Sequence, residues 1–243
     1  MKTKPKKAII LAILFLSAAL SACSQQQANP ESDFTFEIIQ GGTAVKITGY
    51  RALRTKVRIP DRIQDLPVTS IGIVAFRGKQ LTRVSIPEGV TYIGHSAFLG
   101  NQLTSVSIPS SVTHISEKAF EFNYLTSVNI PPSVTYIGAS AFAGNRLTSV
   151  SIPASVTDIG NQAFSRNRLT RITIADGVVH IGDSAFWSNQ LTSVSIPASV
   201  THIGIFAFAG NQLTSVSIPS SVSIHPKVFD PDVEITRRQG ETK

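Results

Sequence analysis

Asp158, His180 and His202 stand 22 positions apart from one to the next, and no other trio in the chain is so well suited to metal chemistry. If that interval stacks them on one exposed face, two imidazoles and a carboxylate suit a zinc or copper ion. Tyr92, His114 and Tyr136 continue the same series. A column that accepts tyrosine as readily as histidine reads first as an exposed variable position, so the three residues stand as candidates only. No metal and no cofactor is assigned. The chain has one Cys, which excludes an intramolecular disulfide and a multi-cysteine zinc site. It contains no G-x-S-x-G, no P-loop, no H-E-x-x-H and no dinucleotide glycine pattern. Its 15 acidic residues are scattered and form no evident carboxylate pair. No enzymatic activity is expected.

Recognition is the other chemistry on offer. Arg146, Arg166, Arg168 and Arg171 lie close together, with Arg146 and Arg168 one 22-residue interval apart. Trp187, the only Trp, follows in the next interval, and Leu99, Phe122 and Tyr124 occupy comparable outer positions. Arginine and large aromatics are the types enriched at protein-binding hot spots. A second basic cluster spans residues 46–83, where nine Lys and Arg, among them Arg54, Lys56 and Arg58, face only Asp61 and Asp65. Charge there also blocks edge pairing with another sheet. The expected partner is an acidic protein segment or a sulfated glycan.

These residues need a scaffold, and the repeats supply it. Ile-Pro occurs at 86–87, 108–109, 130–131, 152–153, 196–197 and 218–219, with Ile174-Ala175 filling the gap. Ala-Phe recurs at the same interval from 75–76 to 207–208, and Asn from 101 to 211. A unit such as Leu103-Thr-Ser-Val-Ser-Ile-Pro109 has the Leu-x-x-Val-x-Ile signature of a leucine-rich repeat. The fold class is therefore a mainly β repeat solenoid, a right-handed coil of 22-residue turns. Alternation predicts a strand with Val106 and Ile108 inward, Ser105 and Ser107 outward, stopped by Pro109. The Phe column should stack as a spine of rings. The Asn column should bond turn backbone in neighbouring coils. Alternating residues on both sides of Gly41-Gly42 predict a hairpin cap over 34–53. The solenoid then runs over 54–229, with an extra loop at Gln64–Pro67, and 230–243 forms a C-terminal cap and tail.

The full pattern, Leu-Thr-Ser-Val-Ser-Ile-Pro-x-x-Val-Thr-x-Ile-Gly-x-x-Ala-Phe-x-Gly-Asn, resembles the bacterial BspA-type, or treponemal-type, leucine-rich repeat. Departures are few: Ser116 for Gly, Ala175 for Pro and Lys79 for the first Asn. The resemblance implies a bacterial surface protein, often an adhesin for host matrix or plasma proteins such as fibronectin or fibrinogen. A non-adhesive envelope scaffold is the alternative, and a metal-binding or glycan-binding solenoid a further one.

The chain opens with four lysines in Met1–Lys7, an apolar run over Ala8–Leu16 and small residues up to Ala22, the layout of a secretory signal peptide. The lone cysteine follows at once. Leu20-Ser21-Ala22-Cys23 resembles the bacterial lipobox, which implies acylation of Cys23, a signal peptide over 1–22 and a flexible tether over 23–33. Multiple acyl chains on one residue anchor a protein stably. The expected location is the bacterial envelope, at the outer membrane or cell surface, with membrane contact through the lipid alone. The formal +7 includes the four signal lysines. Without them 18 basic residues face 15 acidic ones, a net +3, so nucleic acid is not an expected partner. Ser and Thr number 50 while charged residues are only 15%, so hydroxyls must build much of the surface. A monomer is expected.

Overall fold

The computed structural model describes residues 27–239. Cys23 and the signal segment lie outside the described residues. The chain forms strands and turns, with two short 3-10 turns and no α-helix among the described residues. Each coil has three sides, and equivalent residues stack 22 apart through the repeats, 27 apart at the first coil and 21 at the last.

The ladder that runs the length of the molecule is not the one the Leu-x-x-Val-x-Ile pattern suggests. It lies on the following segment, two residues per coil. Tyr92 pairs with His114, His114 with Tyr136, Tyr136 with Asp158, Asp158 with His180, His180 with His202 and His202 with Ser223, all parallel. Together with the cap these make an eleven-stranded sheet. The Leu-x-x-Val-x-Ile side pairs only in patches. β3 (Lys56–Arg58) joins Arg83–Ser85, single bridges link Ser85, Ser107 and Asn129, and Ser149–Ile152 joins Arg171–Ile174. Proline explains the gaps, since it offers no N–H at the end of each segment. At the one coil with Ala in that column, Ala175 donates to the Ile152 carbonyl at 3.1 Å, and the pairing there is the fullest of the repeats.

The core is a set of columns. Phe76, Phe98, Phe120, Phe142, Phe164, Phe186 and Phe208 are fully buried. Their rings stack at 5.0–5.5 Å between centroids, and Phe229 closes the row at 5.5 Å. Each buried ring contributes about 1.5–3 kcal/mol of transfer free energy, and each pair about 0.5–1.5 more. The asparagines hold the third side together. Asn145 Oδ1 accepts from Leu125 N at 3.1 Å, and its Nδ2 donates to the Phe120 and Phe142 carbonyls at 2.9 and 3.0 Å. One amide thus satisfies groups in its own coil and in the coil before. Asn101, Asn123, Asn167 and Asn189 repeat the arrangement.

Both ends are covered. The predicted hairpin is present as β1 (Phe34–Ile39) antiparallel to β2 (Ala44–Tyr50). Its Phe34 and Tyr50 rings pack on Phe76 at 6.3 and 5.6 Å, extending the spine beyond the repeats. The extra loop is a second hairpin, β4 (Arg62–Ile63) against β5 (Leu66–Ile71), turned by Gln64 and Asp65 at φ 50° and 60°. Two consecutive left-handed residues make the turn type that suits a tight hairpin. The expected tether over 23–33 is shorter than the sequence suggests. Asn29 N–H donates to Arg58 O at 2.9 Å and its Oδ1 accepts from Arg58 N at 2.8 Å, while Glu31 Oε1 accepts from Gln64 N at 3.0 Å. At the far end Glu234–Arg238 pairs with Ser215–Pro219, and Arg237 donates to the Pro219 and Val222 carbonyls. An exposed, charged last strand discourages further pairing.

Candidate functional site

The side chains with recognition chemistry gather along the turn that carries Ala-Phe and Asn. Two backbone positions per coil are left-handed there. One is Gly in four coils, at φ 63–69° for Gly78, Gly100, Gly144 and Gly210, but Phe122, Arg166 and Ser188 hold it at 53–57°. A side chain in that region costs about 1–2 kcal/mol relative to glycine. The other position, from Val74 to Phe206, is never glycine, so the conformation alone marks no site. What the side chains reach is more telling.

Arg166 spans to the next coil, and its guanidinium lies 5.1 Å from the Trp187 ring. Arg146 lies 4.2 Å over Tyr124, the equivalent residue one coil earlier. Each contact fixes an arginine on an aromatic face and leaves the fork's donors to solvent or a ligand. Phe122 is half exposed and lies across Gly144, where an added Cβ would sit 2.5 Å from the ring. At Gly144 a side chain would thus meet both the left-handed backbone and its neighbour's ring. Arg168 continues the Tyr124–Arg146 column and is exposed. Among the described residues Arg146, Arg166, Arg168 and Arg171 form no salt bridge. Half-buried Glu121 is the nearby acid. Burial raises its pKa, while Lys118 and Arg166 pull the other way and Glu117 adds to the rise. Arg171 stands apart from the turn, on the patchy strand side opposite Ser149.

The basic cluster of residues 46–83 is partly neutralised. Lys46 pairs with Glu37 at 2.6 Å, Arg54 with Asp33 at 3.7 Å, and Arg62 donates to the Asp65 carbonyl. Lys56 and Arg58 point outward from β3, with Lys56 beside Arg83 in register. A shallow cleft of about 330 Å³, lined by Arg51, Leu53, Thr55 and Lys79, lies at this end. Lys46 and Arg54 are thus tied to acids of the cap, and Leu53 is the cluster's one fully exposed apolar side chain.

Asp158, His180 and His202 do fall on successive rungs of the continuous sheet. His180 Nδ1 meets Asp158 Oδ1 at 2.8 Å, and the His180 and His202 rings are 5.5 Å apart, tilted by 42°. Among the described residues no three acidic, His or Cys side chains converge as a metal cage. Sequence reasoning missed Ile205 and Phe206, which are exposed on the last full turn with Lys227 5.9 Å from the Phe206 ring. Phe206 fills a left-handed position at φ 59°, which periodicity does not score.

Stacked 22-residue coils, an Asn ladder and a Phe spine define a leucine-rich-repeat solenoid of the bacterial surface-protein type. The chain belongs to the BspA type leucine rich repeat region family, whose pattern matches residues 54–169 and 114–236 in six copies. Among solved structures it is similar to the T. pallidum leucine rich repeat protein TpLRR, at 27% identity over 77% of this chain and 91% of that one, with a TM-score of 0.68. It shares the fold of a leucine-rich repeat protein from Bacteroides ovatus (24% identity, 84% and 66% covered, TM-score 0.65). The same holds for a leucine rich cell surface protein from Faecalibacterium prausnitzii (21%, 88% and 76%, 0.58). No curated protein matches the chain.

Proposed function

We propose that the protein is a lipid-anchored, non-catalytic binding module of the bacterial envelope that engages a macromolecule outside the cell. The observation that carries this reading is the row of exposed, ion-pair-free arginines on the Asn-bearing turn, two of them seated on Tyr124 and Trp187. A rigid solenoid holds such side chains at fixed spacing, so little entropy is lost on binding. Free guanidinium forks favour carboxylate-bearing surfaces. The proposed partner is therefore an acidic segment of a protein, and the candidates taken are host matrix or plasma proteins. Anchoring is through Cys23, which places the solenoid at the outer membrane or cell surface.

Intact cells treated with protease provide the first test. An adhesin is cleaved from outside, whereas an internal envelope scaffold is spared. Immobilised fibronectin and fibrinogen then serve as probes for the full chain. Saturable binding that weakens with salt supports the reading; binding to neither overturns the host-protein assignment. Cys23→Ala should move the protein from the detergent phase to the soluble fraction. Unchanged partitioning removes the anchor.

A further inference from the structure

We propose a copper- and zinc-binding site formed by His180 and His202, with Asp158 as the residue that orients it. The hydrogen bonds around the two rings carry the inference. In most coils a Thr precedes the variable residue of this column, and its hydroxyl donates to the carbonyl one coil back. Thr201 Oγ1 does so to Val179 O at 3.4 Å. The same oxygen lies 3.1 Å from His202 Nδ1 and accepts from it in the tautomer that carries its proton on Nδ1. That tautomer leaves the Nε2 lone pair of His202 free.

His180 lacks this neighbour, because Val179 stands where the Thr should be. Asp158 on the preceding rung takes its place. Its Oδ2 accepts from Thr157 Oγ1 at 2.6 Å, and its Oδ1 faces His180 Nδ1 at 2.8 Å. A carboxylate only accepts, so Nδ1 of His180 carries the proton and Nε2 is again the free nitrogen. Carboxylate on one ring nitrogen and metal on the other is the usual arrangement of metal-binding histidines, and it raises ligand basicity. Both histidines are thus held by their Nδ1 atoms with Nε2 left over, on adjacent rungs of a rigid sheet.

The spacing fits. With metal–nitrogen bonds of about 2.0–2.1 Å, two imidazoles on one ion have centroids roughly 4.5–5.5 Å apart for bond angles of about 90–120°. The observed 5.5 Å lies at the upper end. Two imidazoles with water completing the shell suit Cu²⁺ above Zn²⁺. His114 Nδ1 makes the same contact, 3.0 Å from Thr113 Oγ1, but its neighbours in the ladder are Tyr92 and Tyr136, so it is the internal control.

The test is titration of the full chain in detergent with CuCl2 and with ZnCl2, followed by calorimetry, and by electron paramagnetic resonance for copper. The expected result is one ion per chain, tighter for copper, with two nitrogen ligands. His180→Ala or His202→Ala should each weaken binding at least tenfold, and Asp158→Asn about 10- to 100-fold, while His114→Ala leaves it unchanged. All four positions are solvent-facing, and circular dichroism confirms that the variants are folded. Wild-type binding no tighter than that of the His180→Ala/His202→Ala double variant overturns the site. Loss with His114→Ala would place it elsewhere.

Discussion

Asn145 and Arg146 are neighbours in sequence and opposites in behaviour. Asn145 belongs to a column that is Asn in six coils from 101 to 211, buried or nearly so, with every polar atom bonded between coils. Arg146 belongs to a column that reads Gln80, Gln102, Tyr124, Arg146, Arg168, Gln190 and Gln212, all exposed. One residue of displacement separates a position that must repeat from one that is free to vary. The lesson is physical: repetition is imposed where a side chain satisfies backbone of two coils at once, and is released where it faces water. Recognition therefore has to be sought in the columns that the stacking does not use.

Substitution at the two neighbours should break the symmetry sharply. Asn145→Ala leaves the buried Leu125 N–H without its partner and removes one of two amide donors from the Phe120 and Phe142 carbonyls, which keep Asn123 and Asn167; it is expected to cost about 2–3 kcal/mol in urea unfolding. Arg146→Ala should cost less than about 1 kcal/mol, the value of an exposed cation–π contact. Comparable losses at both positions would contradict the division between columns.

A smaller effect sharpens the same comparison at the left-handed position. Gly144→Ala adds a Cβ both at φ +66° and into the Phe122 ring, with an expected cost of about 1–3 kcal/mol. In a Phe122→Ala background only the backbone part of that cost should remain. Phe122→Gly relieves about 1 kcal/mol of left-handed strain but gives up the half-covered ring, and should weaken partner binding because it removes an exposed aromatic side chain from the same turn as the arginines. Thermal denaturation together with binding to the immobilised probes separates the two readouts.

The smallest effect concerns Glu121. Its folded pKa is raised by burial, so its ionised form is disfavoured in the folded state. The fold therefore carries a penalty above the folded pKa that fades as pH falls through the carboxyl range. Glu121→Gln should raise stability slightly at pH 7 and not at pH 4. A variant that is less stable at pH 7 would show that the charge is used, by Lys118 and Arg166, more than burial opposes it.

Much of the architecture was legible because it is periodic. The 22-residue interval, the Phe and Asn columns and the hairpin around Gly41-Gly42 all follow from residue type and spacing. The continuous ladder at Val-Thr-x-Ile was not legible, since two paired residues per coil leave no alternation to read, and the proline that interrupts the more patterned side acts through a missing N–H. The candidate site was visible only as a list of residue types. That Arg166, left-handed at φ 54°, reaches Trp187 and that Arg146 reaches Tyr124 are contacts between coils, which residue types and spacing alone do not reveal. Asp158 meets His180 because Val179 displaced a threonine, a single-residue exception inside a repeat. The separation of Arg171 from the other arginines is likewise a matter of which side of the coil each residue occupies.

The central claim is that the arginines of the Asn-bearing turn, and not the hydroxyl-rich strand side, meet the partner. The direct measurement compares two triple variants of the full chain, Arg146→Ala/Arg166→Ala/Arg168→Ala and Ser149→Ala/Ser193→Ala/Ser215→Ala, on immobilised fibronectin and fibrinogen at low and physiological salt. The arginine triple should lose at least about tenfold in affinity, or about 1.4 kcal/mol, together with most of the salt dependence, while the serine triple stays within about twofold of the parent. Binding that survives loss of the arginines and collapses with loss of the serines would contradict the account and move recognition to the strand side.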